Sequence, residues 1–317
     1  MNLEQHWWQT PATRLSKILT PLAWLYHAID RANARLTMAK VKQVAPPVVV
    51  IGNILVGGTG KSLMIDCLAR SLQNRGLRVG VVSRGYGANV SHARIVPATG
   101  EASEFGDEPI MLKQNNPDLV IAVAKKRLLA AELIAEQVDV ILSDDGLQHY
   151  KLWRDVEVIM LDGQRLLGNQ RLLPAGPLRE KPQRLVNTDF IVTKGPAARN
   201  FSPDAELRIE ALEFIPLSPD ASPKNNLAAI TGIGNPDSFF ASLTAQGLTF
   251  SRHVFPDHHQ FSAKDLVGLT NKTLICTAKD AVKLTSLVDQ PMIVCRPRLS
   301  LSNNKITDHI EALCRSI

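Results

Sequence analysis

The stretch VVVIGNILVGGTGKS, Val48 to Ser62, limits the fold more than any other part of this 317-residue chain. A run of β-branched residues feeds a glycine-rich loop ending in Lys-Ser, and from Leu63 to Arg75 apolar residues recur at helical spacing up to a stop at Gly76. Gly57, Gly58 and Gly60 let successive backbone N–H groups turn toward one anion, with the N-terminus of the helix behind them. Val56 and Thr59 complete the loop, Lys61 adds a movable positive charge, and Ser62 offers a hydroxyl to Mg²⁺. A triphosphate is the expected guest. The fold that presents such a loop is α/β, a mostly parallel sheet flanked by helices.

Composition supports a globular chain: 45% hydrophobic and 21% charged residues, at a length that suits two domains. Cys67, Cys276, Cys295 and Cys314 are scattered without a C-x-x-C pair, so neither a zinc site nor a disulfide framework is expected, and a reducing cytoplasm is the simplest home. Of the net charge of +6, most lies in residues 1–45, where six basic side chains (Arg14, Lys17, Arg31, Arg35, Lys40, Lys42) face two acids, Glu4 and Asp30. Residues 7–35 interleave these cations with Trp7, Trp8, Leu15, Ile18, Leu19, Leu22, Trp24, Leu25, Tyr26 and Ile29. That pattern favours an amphipathic helix lying on a membrane surface over one docked on the protein's own core. No run reaches the roughly 18–20 apolar residues of a spanning helix. Ala32-Asn33-Ala34 resembles a cleavage site, but Asp30 and Arg31 interrupt the approach, so a signal peptide is not expected. Nor is a nucleic-acid partner.

Further strands are expected at Leu77–Ser83, Leu119–Ala124, Val138–Leu142, Val156–Leu161 and Phe190–Thr193. The first of these closes on Arg84-Gly85-Tyr86-Gly87, a tight loop at a strand's carboxyl end. Glu101, Glu104, Asp107 and Glu108 gather before a helical segment, where acids either cap the helix or do chemistry; the residues alone leave both open. Lys125, Lys126 and Arg127 open the next helix against its macrodipole, which a phosphate ligand would explain. Asp144 and Asp145 end a hydrophobic strand, the Walker B arrangement of Mg²⁺ carboxylates. The proline-rich stretch 196–226 reads as a linker, with a linking strand at Leu207–Ile215. It separates a core at 46–195 from a smaller α/β unit at 227–317 with strands at Leu227–Thr231, Thr273–Thr277 and Met292–Cys295 and a last helix at Ile306–Ser316. In Phe255-Pro256-Asp257-His258-His259-Gln260 the adjacent histidines point to opposite sides, against a metal pair; a lone surface histidine and an Asp-His partnership both remain open. Gly232-Ile233-Gly234 lacks the third glycine of a dinucleotide loop, and Asn271-Lys272-Thr273-Leu274 lacks the aspartate of a guanine reader, so ATP is favoured over GTP.

In order, GGTGKS, SRGYG (Ser83 to Gly87), GDEP (Gly106 to Pro109), DDGLQH (Asp144 to His149), LPAGPLRE (Leu173 to Glu180) and PDH (Pro256 to His258) resemble the tetraacyldisaccharide 4′-kinases of lipid A biosynthesis, over nearly the whole chain. The resemblance implies a P-loop NTPase-like core and ATP-dependent phosphorylation of the 4′-hydroxyl of a tetraacyldisaccharide 1-phosphate, at the cytoplasmic face of the inner membrane of a Gram-negative bacterium. It implies ATP and Mg²⁺ as cofactors, Asp107 as catalytic base with His258 its partner, Lys61 and Arg127 as counter-charges, and Ser62, Asp144, Asp145 and Glu180 as the metal set. His149 also falls at a motif position. The family's Thr-Glu-Lys-Asp segment reads Thr277-Ala278-Lys279-Asp280 here, which leaves no acid at 278. Two rivals share the loop: a membrane-attached ATPase switch and a soluble small-molecule kinase. Val56 stands where partitioning ATPases carry a lysine, and Leu55 where the longer loop pattern has glycine.

Overall fold

Among the described residues, twelve strands join in one sheet. The structure is a computed structural model that describes residues 3–38, 41–88, 90–198, 200–223 and 226–316. The N-terminal segment and linker read from sequence include residues 1, 2, 39, 40, 199, 224 and 225, which lie outside them. In chain order the strands are β1 (Val48–Gly52), β2 (Val79–Ser83), β3 (Arg94–Ile95), β4 (Val120–Val123), β5 (Val140–Asp144), β6 (Val156–Asp162), β7 (Phe190–Lys194), β8 (Ala205–Pro216), β9 (Leu227–Thr231), β10 (Phe250–Val254), β11 (Thr273–Thr277) and β12 (Met292–Leu301). The helices are α1 (Leu3–Trp7), α2 (Arg14–Ile18), α3 (Thr20–Met38), α4 (Lys61–Gln73), α5 (Ala102–Phe105), α6 (Asp107–Asn115), α7 (Arg127–Ile134), α8 (Pro236–Ala245), α9 (Ala278–Leu284) and α10 (Lys305–Arg315).

The sheet order is β10-β9-β11-β12-β8-β7-β6-β1-β5-β2-β4-β3. All pairings are parallel except β12 with β8 and the edge pair β3 with β4. The continuous apolar runs that define β1, β2, β5 and β9 follow from this, because a parallel strand covered on both faces has no polar side to show. Two hydrophobic layers, one on each face, hold the phosphate-loop half together, and two more hold the C-terminal half. At about 1.5–3 kcal/mol per fully buried aliphatic side chain, these layers are the main stabilising term.

The β8–β12 ribbon decides where a ligand can sit. Parallel β7 ends against Leu207 of β8, whereas β11 ends against Cys295 of β12, which pairs with Phe214 of β8. Because β8 and β12 run in opposite directions, the carboxyl edges of the two parallel halves point toward each other across the ribbon. The step from Leu207 to Phe214 along β8 separates them, roughly 23 Å of strand. In parallel α/β sheets ligands gather at carboxyl edges, and here two such edges face one space.

α4 buries Met64, Ile65, Leu68 and Leu72 beneath β1 and stops at Gly76, whose φ of +85° suits glycine. α10, read from sequence with the C-terminal unit, follows β12 back to the phosphate-loop half, packs on α4 and buries Ile306 and Ile310 in that core. There Arg75 pairs with Asp308 at 2.6 Å and with Glu311. β10 was not expected from sequence: FSRHV is an edge strand with mixed burial and little apolar periodicity. The N-terminal segment forms three helices. Trp7 is buried and its indole N–H donates to Pro174 O at 3.0 Å, and Asn169 Nδ2 donates to Ser16 Oγ at 3.2 Å, so α1 and α2 are docked. Along α3, Leu22, Leu25, Ile29 and Leu36 fall on one face and are exposed, while Trp24, also exposed, projects roughly 120° round the helix with Arg31 and Arg35.

Candidate active site

A cavity of about 1330 Å³ lies between the facing edges. Val56, Gly57, Gly58, Thr59, Gly60, Lys61, Ser62, Arg127, Asp144, Asp145 and His258 line it together. The phosphate loop is shaped by Gly57 at φ +105° and by Gly60 at φ +87°, whose missing Cβ also admits Lys194. Lys61 begins α4 and places Nζ 3.5 Å from Asp145 Oδ1. The LPAGPLRE segment runs beside the loop: Val56 N donates to Pro177 O at 2.9 Å and Arg179 N to Ile54 O at 2.7 Å. This contact brings Arg179 Nη1 to 3.4 Å from Asp145 Oδ2. Sequence reading did not single out Arg179; its only signal was the motif around it.

Asp144 ends β5, where Ser83 Oγ donates to its Oδ2 at 3.1 Å. Burial, and then the nearby Glu108 charge, push its carboxyl up to about 7 against the opposing pull of Lys61 and Arg127. Its Oδ1 is buried and has no hydrogen-bond partner among the described residues. For Asp145 the balance reverses: burial raises it, but Lys61 and Arg179 outweigh burial and hold it below the ordinary carboxylate value. A buried, unpartnered carboxylate oxygen in a cavity that the next carboxylate, Asp145, and Ser62 also line suits a cation. Mg²⁺ takes one or two carboxylates and completes its shell from phosphates and water; among the described residues no group of three or more His, Cys, Asp or Glu is placed to hold a metal, so Glu180 does not join Asp144 and Asp145 in one set. Glu180 is engaged elsewhere, accepting from Gln148 Nε2 at 2.6 Å and pairing with Arg184 Nε at 3.3 Å. It meets the cavity through Gln148, a lining residue.

The three cations read at the start of α7 separate in space. Lys125 and Lys126 are exposed, while Arg127 is buried and donates through Nη2 to Asp144 O at 3.0 Å. Its backbone N–H donates to His149 Nε2 at 3.1 Å. Burial and the surrounding positive charge of Arg127, Arg154, Lys151 and Arg84 lower His149 to about 4, so its ring is neutral near pH 7 and accepts that bond.

Asp107 opens α6 directly after Gly106, whose φ is +92° and whose missing Cβ would stand 2.8 Å from Tyr86 O. SRGYG and GDEP therefore touch, and only glycine at 106 allows it. The Tyr86 ring packs on His258 at 5.1 Å between centroids. His258, at φ +60°, places Nδ1 3.3 Å from Asp107 Oδ2, and on its other side Lys279 Nζ lies 3.2 Å from Nε2. An ammonium can only donate, so Nε2 is the acceptor and the Nδ1–H faces Asp107. Asp107 is buried just behind the cavity wall formed by His258 and Glu108. Burial alone would raise its carboxyl; the His258 hydrogen bond and the Lys283 charge outweigh burial and hold it below the ordinary value. His259 turns the other way, to Asp265 at 3.2 Å. Asp280, fully buried, accepts from Thr231 Oγ1, Gly232 N and Thr277 Oγ1 at 2.8, 3.0 and 2.8 Å, while Gly232 O accepts from His258 N at 3.2 Å. The T-x-K-D segment thus fixes the loop that carries His258, and Ala278, half-buried against apolar side chains, lines the cavity without offering an acid.

Residues 15–315 match the family described as Tetraacyldisaccharide-1-P 4'-kinase. The chain belongs to that family. A tetraacyldisaccharide 4'-kinase of Legionella pneumophila (strain Corby) is 39% identical over 281 residues, covering 86% of this chain and 85% of the relative. One from Aromatoleum aromaticum is 42% identical over 296 residues and 88% of each chain. The crystal structure of an LpxK from Aquifex aeolicus in complex with ATP superposes with a TM-score of 0.78 at 26% identity, covering 95% of this chain and 99% of that one. Membership makes the chain a kinase and its doubly edged α/β sheet the family fold. Six motifs dispersed from residue 57 to residue 258 are gathered around one cavity in this tetraacyldisaccharide 4′-kinase family member.

Proposed function

We propose that this chain transfers the γ-phosphoryl group of ATP to the 4′-hydroxyl of a tetraacylated glucosamine disaccharide 1-phosphate. The reading is carried by the Asp107–His258 contact, which joins residues from opposite sheet edges at one wall of the cavity that the phosphate loop closes on another. The phosphate loop and Lys61 hold the triphosphate, and Arg127 adds counter-charge. A bound Mg²⁺, held by Asp144, Asp145 and the Ser62 hydroxyl, would neutralise phosphate charge. Asp107 accepts the hydroxyl proton as the sugar oxygen attacks, while the Nδ1–H of His258 holds the carboxylate in place. The test is transfer of labelled γ-phosphate from ATP to the purified disaccharide 1-phosphate in detergent. Labelled lipid is the expected product; ATP hydrolysis that ignores the lipid would instead indicate an ATPase switch.

The substrate's acyl chains remain in a bilayer, and the exposed α3 face accounts for delivery to it. Leu22, Leu25, Ile29 and Leu36 form an exposed apolar stripe, Trp24, Arg31 and Arg35 are exposed on the adjoining face, and no helix of the described residues is long and apolar enough to cross a membrane. We assign this face to the cytoplasmic surface of the inner membrane, as a peripheral contact. Replacing Leu22, Leu25 and Ile29 by serine leaves the Trp7 and Ser16 anchors in place. At about 1 kcal/mol per partly inserted side chain, partitioning onto anionic phospholipid vesicles falls by roughly a hundredfold. Unchanged co-flotation would remove the assignment.

A further inference from the structure

A lysine meets Asp107 from across the cleft, beside the Nδ1–H of His258. Lys283 lies one turn after Lys279 on α9, its side chain is only 3% exposed, and its Nζ is 3.3 Å from Asp107 Oδ2 and 5.4 Å above the Phe261 ring. Among the described residues Asp107 is the one carboxylate within 4 Å of it, and Nζ makes no directed hydrogen bond. Burying an ammonium costs several kcal/mol unless a counter-charge offsets it, so this lysine is matched to this carboxylate. Asp107 belongs to the phosphate-loop half and Lys283 to the C-terminal half, and the pair spans the junction.

We propose that Lys283 is a positioning residue for phosphoryl transfer: from the far edge it holds Asp107 ionised and fixed, so that the carboxylate is ready to take the hydroxyl proton. This rests on the reading of Asp107 as base. His258 and Lys283 both approach Oδ2, which leaves Oδ1 to receive the proton: the sugar O–H bond breaks, an O–H bond forms at Oδ1, the sugar oxygen's electron pair goes to the γ-phosphorus, and the bond from that phosphorus to the β,γ-bridging oxygen breaks with its electron pair leaving on ADP. The charged and titratable groups facing this carboxylate are His258 from the loop after β10 and Lys283 from α9, with Lys279, Asp257 and Glu108 around them and Tyr86 against His258. The carboxyl's depressed proton affinity agrees, since the Lys283 charge is among its causes.

The experiment is the pH profile of kcat/KM for the full chain with ATP and disaccharide lipid. Lys283→Met removes a cation that favours the ionised base, so the acid limb is expected to move up by about one pH unit or more, with kcat at neutral pH down tenfold or more. Lys283→Arg, which keeps the charge, is expected to leave the limb near its original place. The double variant Asp107→Asn with Lys283→Met is expected to fall no further than Asp107→Asn alone, because the lysine acts through the carboxylate. If Lys283→Met does not fold, Lys283→Gln carries the same comparison. An acid limb that stays put, or a double variant that loses both factors in full, would overturn the proposal. If Asp107→Asn itself loses less than tenfold, the base assignment fails first; if it loses its full factor while the limb is unmoved in the lysine variant, only the Lys283 role fails.

Discussion

Lys61→Ala is expected to abolish phosphoryl transfer, lowering kcat by at least roughly 10³-fold, or about 4 kcal/mol of transition-state stabilisation. Lys61 sits at the first position of α4, lines the cavity and is 15% exposed, with Asp145 as its one ion-pair partner among the described residues. The truncation therefore removes charge from the site without removing packing from the core, and the midpoint of thermal unfolding is expected to stay within about 2 °C. It also deprives Asp145 of the largest influence that lowers its carboxyl, leaving Arg179 as the nearer cation. Lys61→Arg tests whether charge alone suffices: the planar guanidinium does not reproduce a compact ammonium, so little activity should return. The measurement is single-turnover transfer of labelled phosphate at saturating ATP. Near-normal turnover in the alanine variant would contradict the assignment of the loop.

How much of this site the sequence discloses depends on whether chemistry or topology supplies the signal. The loop from Gly57 to Ser62 is legible because a strand, three glycines and a helix start admit few other arrangements. Asp144 and Asp145 are legible because a carboxylate after a buried strand must sit at the sheet's edge. Asp107 is not, since an acid in the first turn of a helix is equally expected as a cap; only His258 arriving from another part of the chain settles where it points. That arrival requires two carboxyl edges to face each other, which follows from the antiparallel β8–β12 register, and register between strands eighty residues apart leaves no local trace. Lys279 and Lys283 show the same limit. Two lysines one turn apart on a short helix read as a solvated face, yet both are turned inward to the Asp107–His258 pair. α10 is legible as a helix from its period, but that period does not say which half of the sheet its apolar stripe will cover.

Asp107→Asn is expected to lower kcat by about 10²–10⁴-fold while ATP binding is retained, because the change removes proton acceptance and leaves the phosphate loop untouched. The amide fills the same space and can still accept from the Nδ1–H of His258, so loss of orientation is a smaller effect than loss of basicity. It cannot balance Lys283, and breaking a buried ion pair on one side costs about 3–5 kcal/mol, which makes the variant less stable as well as slow. The two losses separate by pH. The folded-state carboxyl of Asp107 is held below its unfolded value, so it contributes stability that is complete above the ordinary carboxylate range and disappears as pH falls through the folded value, in the region below about 4. The asparagine variant lacks that contribution, and its thermal midpoint should approach the parent's as both are acidified, whereas at neutral pH the two should lie farthest apart. Paired with Lys283→Met, the buried charge is removed from both sides and the midpoint is expected to recover while kcat does not. Recovery of stability without recovery of turnover would assign the stability loss to the ion pair and the rate loss to the missing base. A parallel recovery of both would place Asp107 in the scaffold of the cleft and take the proton transfer away from it.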